Sequence, residues 1–198
     1  RRIFENDADH LRFINTLYIA NNFVMIPQYF DILTLEPQHL LTPLERPYVE
    51  ITAGCLMPNH YHLMATPLSE HGISTLLHKV GTSYTKYFDI KYKRTGRLFE
   101  STFKAKHIDR HEYAFYLTQY IHLNPVDLFQ GITDEEEKMR RIRIYPWSSL
   151  PDYLGAKSRF SLLLSSSFRE SVVDLDATRY GELLKEMYLV REKTTQEA

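Results

Sequence analysis

The sequence predicts an α+β fold, an antiparallel strand pair covered by helices, and three observations carry that prediction. Residues 48–57 and 61–66 are rich in β-branched and aromatic side chains and are separated by Pro58-Asn59, the pattern of two neighbouring antiparallel strands. After Ser69, the apolar residues Ile73, Leu76, Leu77, Val80, Tyr84 and Phe88 recur at helical spacing. A third segment, with Tyr113, Phe115, Tyr116, Leu117, Tyr120 and Ile121, comes after Asp109-x-x-Glu112, which has the form of a capping box. With 198 residues and 43% hydrophobic content, the chain has material for one good core.

The remaining elements are read in chain order. Asp7 or Asp9 is expected to cap a helix carrying Leu11, Phe13, Ile14 and Leu17 and ending near Asn21-Asn22. The sequence starts Arg1-Arg2-Ile3-Phe4 without a methionine, which leaves room for a strand ahead of this numbering. Phe23-Val24-Met25-Ile26 reads as a short strand or as the end of the first helix. Pro27, Pro37 and Pro43 interrupt regular structure beyond Ile26, with a strand expected at Tyr29–Thr34. The long helix should run from Ser69 to just before Thr95-Gly96, and Arg97–Phe99 and Phe103–Ile108 read as two short strands or a hairpin. Pro125 disfavours helical backbone at Asn124, so Tyr120 and Asn124 are expected in the last turn of their helix. An acidic run, Asp134–Glu137, and a basic one, Lys138–Arg143, precede Tyr145-Pro146-Trp147-Ser148-Ser149, read as an ordered loop packed by Trp147. A final amphipathic helix is predicted over Asp174–Glu192, with Tyr180, Leu183, Leu184, Met187 and Leu189 as its apolar side. The organisation expected is one domain over 1–155 with a C-terminal helical extension, 156–198, packed on it.

Composition limits the function classes. No apolar run approaches the roughly 18 residues that a bilayer span requires, and no signal peptide is recognisable, so a cytoplasmic protein without a membrane partner is expected. The single cysteine, Cys55, has no partner for a disulfide or a structural zinc site and reads as a buried small hydrophobe. The net charge of -1 hides a division: residues 79–110 carry nine Lys or Arg against three acids, +6 locally, leaving -7 elsewhere. That basic stretch is interleaved with Tyr84, Tyr87, Phe88, Tyr92, Phe99 and Phe103, a composition that suits a polyanion whose bases stack on aromatic rings. A solvated helix face with its aromatics in the core would look the same.

Two segments carry chemistry. In Met57-Pro58-Asn59-His60-Tyr61-His62-Leu63-Met64, alternation along a strand points His60 and His62 to one side and Tyr61 to the other. In Tyr120-Ile121-His122-Leu123-Asn124-Pro125, four-residue spacing on a helix brings Tyr120 and Asn124 to one place. Two imidazoles and one amide oxygen form an open three-donor set for Mg²⁺ or Mn²⁺, with positions left for phosphate and water. A phenol is about one part in a thousand ionised at neutral pH, so a nucleophilic tyrosine needs a base or a nearby cation. Taken singly, His-x-His on a strand and Asn before Pro are also ordinary structural features.

The ordered combination is more specific than its parts. Cys55-Leu56-Met57-Pro58-Asn59-His60-Tyr61-His62, Arg94-Thr95-Gly96-Arg97-Leu98-Phe99-Glu100, Phe103-Lys104, Tyr120-Ile121-His122-Leu123-Asn124-Pro125-Val126 and Tyr145-Pro146-Trp147-Ser148-Ser149 stand in the order seen in REP-associated tyrosine transposases, which this chain resembles. These belong to the single-tyrosine HUH transposases, where HUH denotes histidine, hydrophobic residue, histidine. The resemblance runs from about Arg1 to Gly155. It implies the HUH endonuclease/transposase fold, a ferredoxin-like two-layer sandwich with an antiparallel sheet, helices on one face and the HUH on a central strand. It implies His60, His62 and Asn124 as ligands of Mg²⁺ or Mn²⁺, Tyr120 as nucleophile, and no ATP. The implied substrate is single-stranded DNA next to hairpins, cut through a 5′-phosphotyrosine and rejoined, with nucleoid association as a corollary. Both a monomer and a homodimer accord with the resemblance. Arg94, Arg97, Lys104 and Lys106 are the candidate phosphate contacts. Tyr61 departs from the usual aliphatic middle residue, and Asp127 stands where a basic residue often comes after Asn-Pro-Val. Two rivals remain: a domesticated hairpin DNA- or RNA-binding protein without turnover, and a metal-dependent phosphodiesterase in which water attacks.

Overall fold

A computed structural model describes residues 1–22, 46–165 and 176–196. Phe23–Ile26, read as a short strand or the end of the first helix, and the strand expected at Tyr29–Thr34 lie outside the described residues. The first helix, α1 (Asp7–Ala20), starts from Asn6 in extended backbone. Asp9, rather than acting as a first residue, sits on the third helical position and accepts the backbone N–H groups of Glu5 at 2.9 Å and Asn6 at 3.3 Å. The predicted strands form as β1 (Val49–Met57) and β2 (His60–Pro67), paired antiparallel across Pro58-Asn59. A bulge separates the Ile51↔Ala65 and Ala53↔Met64 pairs, and the extra residue, Thr52, donates its hydroxyl to the Met64 carbonyl at 3.1 Å. The long helix, α2 (Gly72–Tyr92), starts three residues after Ser69 because residues 69–71 form a turn ending in His71 at φ 59°.

Alternation along β2 divides the sheet's two faces. Tyr61 points toward α1 and α2, its ring 4.8 Å from Phe13, and Phe13 meets Tyr84 of α2 edge-on at 5.1 Å. The substitution of an aromatic for an aliphatic residue between the histidines thus fills core volume. The predicted helical layer is this α1–α2 pair. A third helix, α3 (His111–Leu123), adds a layer on the opposite face, where Thr118 reaches the Met64 sulfur at 3.4 Å. The histidine face of β2 therefore looks at α3.

One carboxylate ties α1 to α2. Asp9 is fully buried and accepts from Lys91 Nζ at 2.6 Å, Tyr92 Oη at 2.7 Å and Tyr87 Oη at 2.9 Å. Burial pushes its pKa up, but the bonds from Lys91, Tyr92, the Glu5 backbone and Tyr87 outweigh burial and hold it below the ordinary carboxylate value. Asp9→Ala leaves these donors unanswered and is expected to cost about 3–5 kcal/mol, read by urea unfolding. The folded-state pKa is depressed, so the stabilisation is present above the unfolded carboxylate value and is lost as pH falls through the folded one.

The outer edge of β1 is sealed. The Trp147 carbonyl accepts from Leu56 N–H at 2.8 Å, Ser149 N–H donates to Gly54 O at 2.9 Å, and Ser165 N–H donates to Ile51 O at 2.8 Å. Trp147 stacks on His10 at 4.6 Å, and His10 on Phe4 at 4.4 Å, which accounts for the packed loop predicted there. Cys55 is buried and burial raises its thiol pKa, as befits a small core residue.

Three local expectations are corrected. Arg97–Phe99 and Phe103–Ile108 form no strands: Leu98 is buried and Phe99 packs on Tyr61 at 6.3 Å, but the segment finds no ladder. Asp109-x-x-Glu112 makes no capping box, because α3 begins one residue later, with Arg110 at the cap position. Pro125 ends the α-helix without ending helical backbone, which continues as a 3₁₀ helix over Asn124–Phe129, with Pro125 in its first turn where the missing N–H costs nothing.

The short helices α4 (Glu135–Arg143) and α5 (Leu150–Tyr153) come next. The last helix, α6 (Ala177–Gln196), begins after Asp176, which accepts the Arg179 N–H at 2.8 Å and so sets the start a few residues beyond the predicted one. Tyr180, Leu184 and Tyr188 of α6 are buried with Leu123, Val126, Met139, Ile142, Leu150 and Tyr153 in a second core cluster. No helix among the described residues is long and apolar enough to cross a membrane.

Candidate active site

The site starts at the tight turn between the strands. The Pro58 carbonyl accepts from Ile3 N–H at 2.9 Å and Phe4 N–H at 3.1 Å, which fixes the turn and the start of β2. His60 and His62 lie on the same face with ring centroids 5.0 Å apart, nearly perpendicular. His60 is exposed, with Nδ1 2.8 Å from Asn59 Oδ1. His62 is half-buried. Burial, then the neighbouring His60, push its pKa below the ordinary imidazole value, and a hydrogen bond with Asn124 opposes them. The net shift keeps His62 neutral at pH 7, the form that can ligate a metal.

The other half comes from the end of α3. Asn124 is only 5% exposed. Its Nδ2 donates to the Tyr120 carbonyl at 2.9 Å, closing the last turn. That bond leaves the amide oxygen, Oδ1, with its lone pairs available as a donor to a cation. Tyr120 is 38% exposed, and its ring centroid stands 6.0 Å from that of His62, edge to face. The four residues singled out from sequence, His60, His62, Tyr120 and Asn124, are thus brought together from two elements. Among the described residues no group of three or more His, Cys, Asp or Glu could hold a metal ion, so a cation here would need the amide. Two imidazole nitrogens and one amide oxygen fit a divalent ion of borderline to hard character.

The basic candidates divide. Arg94 is engaged within its own neighbourhood, with Asp89 Oδ1 at 3.2 Å, the Arg97 carbonyl at 3.3 Å and the Phe88 ring 5.5 Å away. Arg97 and Lys104 are exposed and line an open groove of about 1710 Å³ that also contacts His60, His62, Lys86 and Arg1. Lys106 donates to Tyr113 Oη at 2.5 Å, on the exposed side of α3.

Sequence reasoning missed two residues. Arg191, on α6, donates to the Leu123 carbonyl at 3.3 Å and to Asp127 Oδ1 at 2.9 Å, and its guanidinium lies 6.0 Å from the Tyr120 ring centre. Asp127 therefore anchors an arginine beside the tyrosine, so positive charge enters this region from α6. His122 points into the core: fully buried, it pairs Nδ1 with Tyr180 Oη at 2.7 Å and Nε2 with Ser149 Oγ at 2.8 Å. Ser149 Oγ in turn accepts the Gly54 N–H at 2.9 Å, so the ring joins α3, α6 and β1. The buried face of α3 and the apolar stripe of α6 were both visible in sequence, but no local spacing pairs residues so far apart.

No curated protein and no solved structure matches the chain. Residues 38–124 match the family model described as "Transposase IS200 like". That span contains the turn, both strands, α2 and α3, and hence both histidines, the tyrosine and the asparagine. From His60 to Asn124 the candidate site lies inside a segment similar to the IS200-like transposases, a likeness that supports a DNA-cutting transposase.

Proposed function

We propose that the protein is a metal-dependent, single-tyrosine DNA strand transferase of the REP-associated kind, acting at the nucleoid on single-stranded DNA beside hairpins. The observation that carries this reading is the convergence of Tyr120 on His62, ring centroids 6.0 Å apart, with Asn124 held one turn beyond Tyr120 by its bond to the Tyr120 carbonyl. A Mg²⁺ or Mn²⁺ ion bound by His60, His62 and Asn124 would supply Lewis-acid polarisation of a phosphate oxygen. Tyr120 Oη attacks the phosphorus, an O–P bond forms, and the bond to the 3′ oxygen breaks. The phenolic proton passes to water, to which Tyr120 is open, and the departing oxygen takes a proton to become a 3′-hydroxyl. The reverse attack by a 3′-hydroxyl restores a DNA phosphodiester and frees the tyrosine, so no ATP is needed.

The test is a denaturing gel of the protein with labelled single-stranded hairpin oligonucleotides, in Mn²⁺ or in EDTA. The reading expects a shifted covalent band in Mn²⁺ alone. Cleavage without that band would assign the attack to water, and intact binding with neither would leave a hairpin-binding protein without turnover.

A further inference from the structure

The outward side of α3 carries three tyrosines, at steps of three and four residues: half-buried Tyr113 and exposed Tyr116 and Tyr120. Tyr116 is 49% exposed and Tyr120 38%, on a helix whose other face is buried through Ala114, Thr118, Gln119 and Ile121. Tyr113 and Tyr116 are nearly parallel, 11° between planes, with centroids 6.2 Å apart. A cation stands at each end: Lys106 Nζ lies 4.7 Å over the Tyr113 ring, and the Arg191 guanidinium lies 6.0 Å from that of Tyr120. Tyr116 gains little from the core, and with half-buried Tyr113 it lies on the side of the helix that ends at the candidate nucleophile.

We infer that the Tyr113–Tyr116–Tyr120 stripe is a stacking track for the bases of the DNA strand next to the phosphate attacked by Tyr120, an inference that rests on the function proposed above. Helical rise spreads the three rings over roughly 10 Å, about three base-stacking steps of roughly 3.4 Å. Aromatic faces hold bases with little regard to sequence, and flanking cations answer the phosphates. The track gives the enzyme a subsite for unpaired nucleotides that is separate from the histidines, and Tyr116 is its central ring.

The test uses the whole chain in EDTA, so that binding is read apart from cleavage, by fluorescence anisotropy of a labelled single-stranded oligonucleotide. Tyr116→Ala is expected to weaken binding roughly 5- to 150-fold, as the loss of one base–aromatic stack does, and Tyr116→Phe to bind as the wild type does. Abasic sites placed one at a time along the oligonucleotide should weaken wild-type binding at one or two positions, and that penalty should vanish in Tyr116→Ala. This last comparison separates stacking from any misfolding of the variant. Equal affinity of wild type and Tyr116→Ala, an abasic penalty unchanged by the substitution, or a loss that flattens the salt dependence would overturn the inference. Failure of the nucleophile assignment shows instead as the absence of a covalent band, whatever the binding result.

Discussion

Tyr120→Phe is expected to bind single-stranded hairpin DNA within about twofold of wild type and to form no covalent adduct in Mn²⁺, on the proposed mechanism. Phenylalanine keeps the ring that packs edge-on against His62 and beside Arg191, and removes only the oxygen. The helix end holds its shape independently of that oxygen, because Asn124 bonds the Tyr120 backbone carbonyl rather than its phenol. Without a nucleophile on Tyr120 the step has no substitute on the same face at the same distance; Tyr116 lies a turn away. The loss in adduct formation should be on the order of 10³-fold or more, limited by detection, as expected when a covalent nucleophile is deleted. Adduct formed at wild-type yield by Tyr120→Phe would refute the assignment of the nucleophile.

His122→Ala is expected to be the most destabilising single change at this end of the molecule, costing about 3–5 kcal/mol. The substitution opens a void among Tyr153, Tyr180 and Ser149 and strips Tyr180 Oη and Ser149 Oγ of their shared partner. Burial also lowers the pKa of His122 from its ordinary 6.5 to about 3. The unfolded chain binds that proton near pH 6.5 and the folded chain only near 3. Between those values the unfolded state holds more protons, so stability falls as acid is added, by about 1.4 kcal/mol per pH unit. His10, also lowered by burial, acts in the same direction. Urea unfolding at pH 7 and pH 5 should show the wild type losing about 2 kcal/mol to His122 alone. A flat wild-type profile over that range would contradict the buried neutral ring.

How much of this was legible in the sequence depends on the range of the interaction. The strand pair, the long helix and the facing of His60 and His62 stem from periodicities of two and three to four residues, which are local and survive folding. The grouping of Tyr120 with Asn124 is local too. The misplaced starts of α2 and α3 reflect the left-handed backbone at His71 and the extended backbone at Arg110, which no pattern of apolar residues announces. The hairpin expected over 97–108 failed for a different reason: alternating side chains need a partner ladder, and Leu98 and Phe99 instead use their apolar groups to plug the core. His62 meeting Tyr120, His122 meeting Tyr180 and Asp127 meeting Arg191 are contacts between distant segments, and a single sequence carries no signal for them beyond the family resemblance that covered the first.

The link between α3 and α6 has a consequence for the order in which the protein becomes competent during synthesis. Tyr120 sits on a helix whose buried side closes only when Tyr180, Leu184 and Tyr188 arrive, and whose final turn is clasped by Arg191. A nascent chain that has already exposed both histidines and the tyrosine still lacks those partners. Chains grow at roughly 5–20 residues per second, so several seconds separate the emergence of Tyr120 from that of Arg191. During that interval the reactive phenol exists without its settled surroundings, and the finished geometry is acquired only once α6 has emerged and packed.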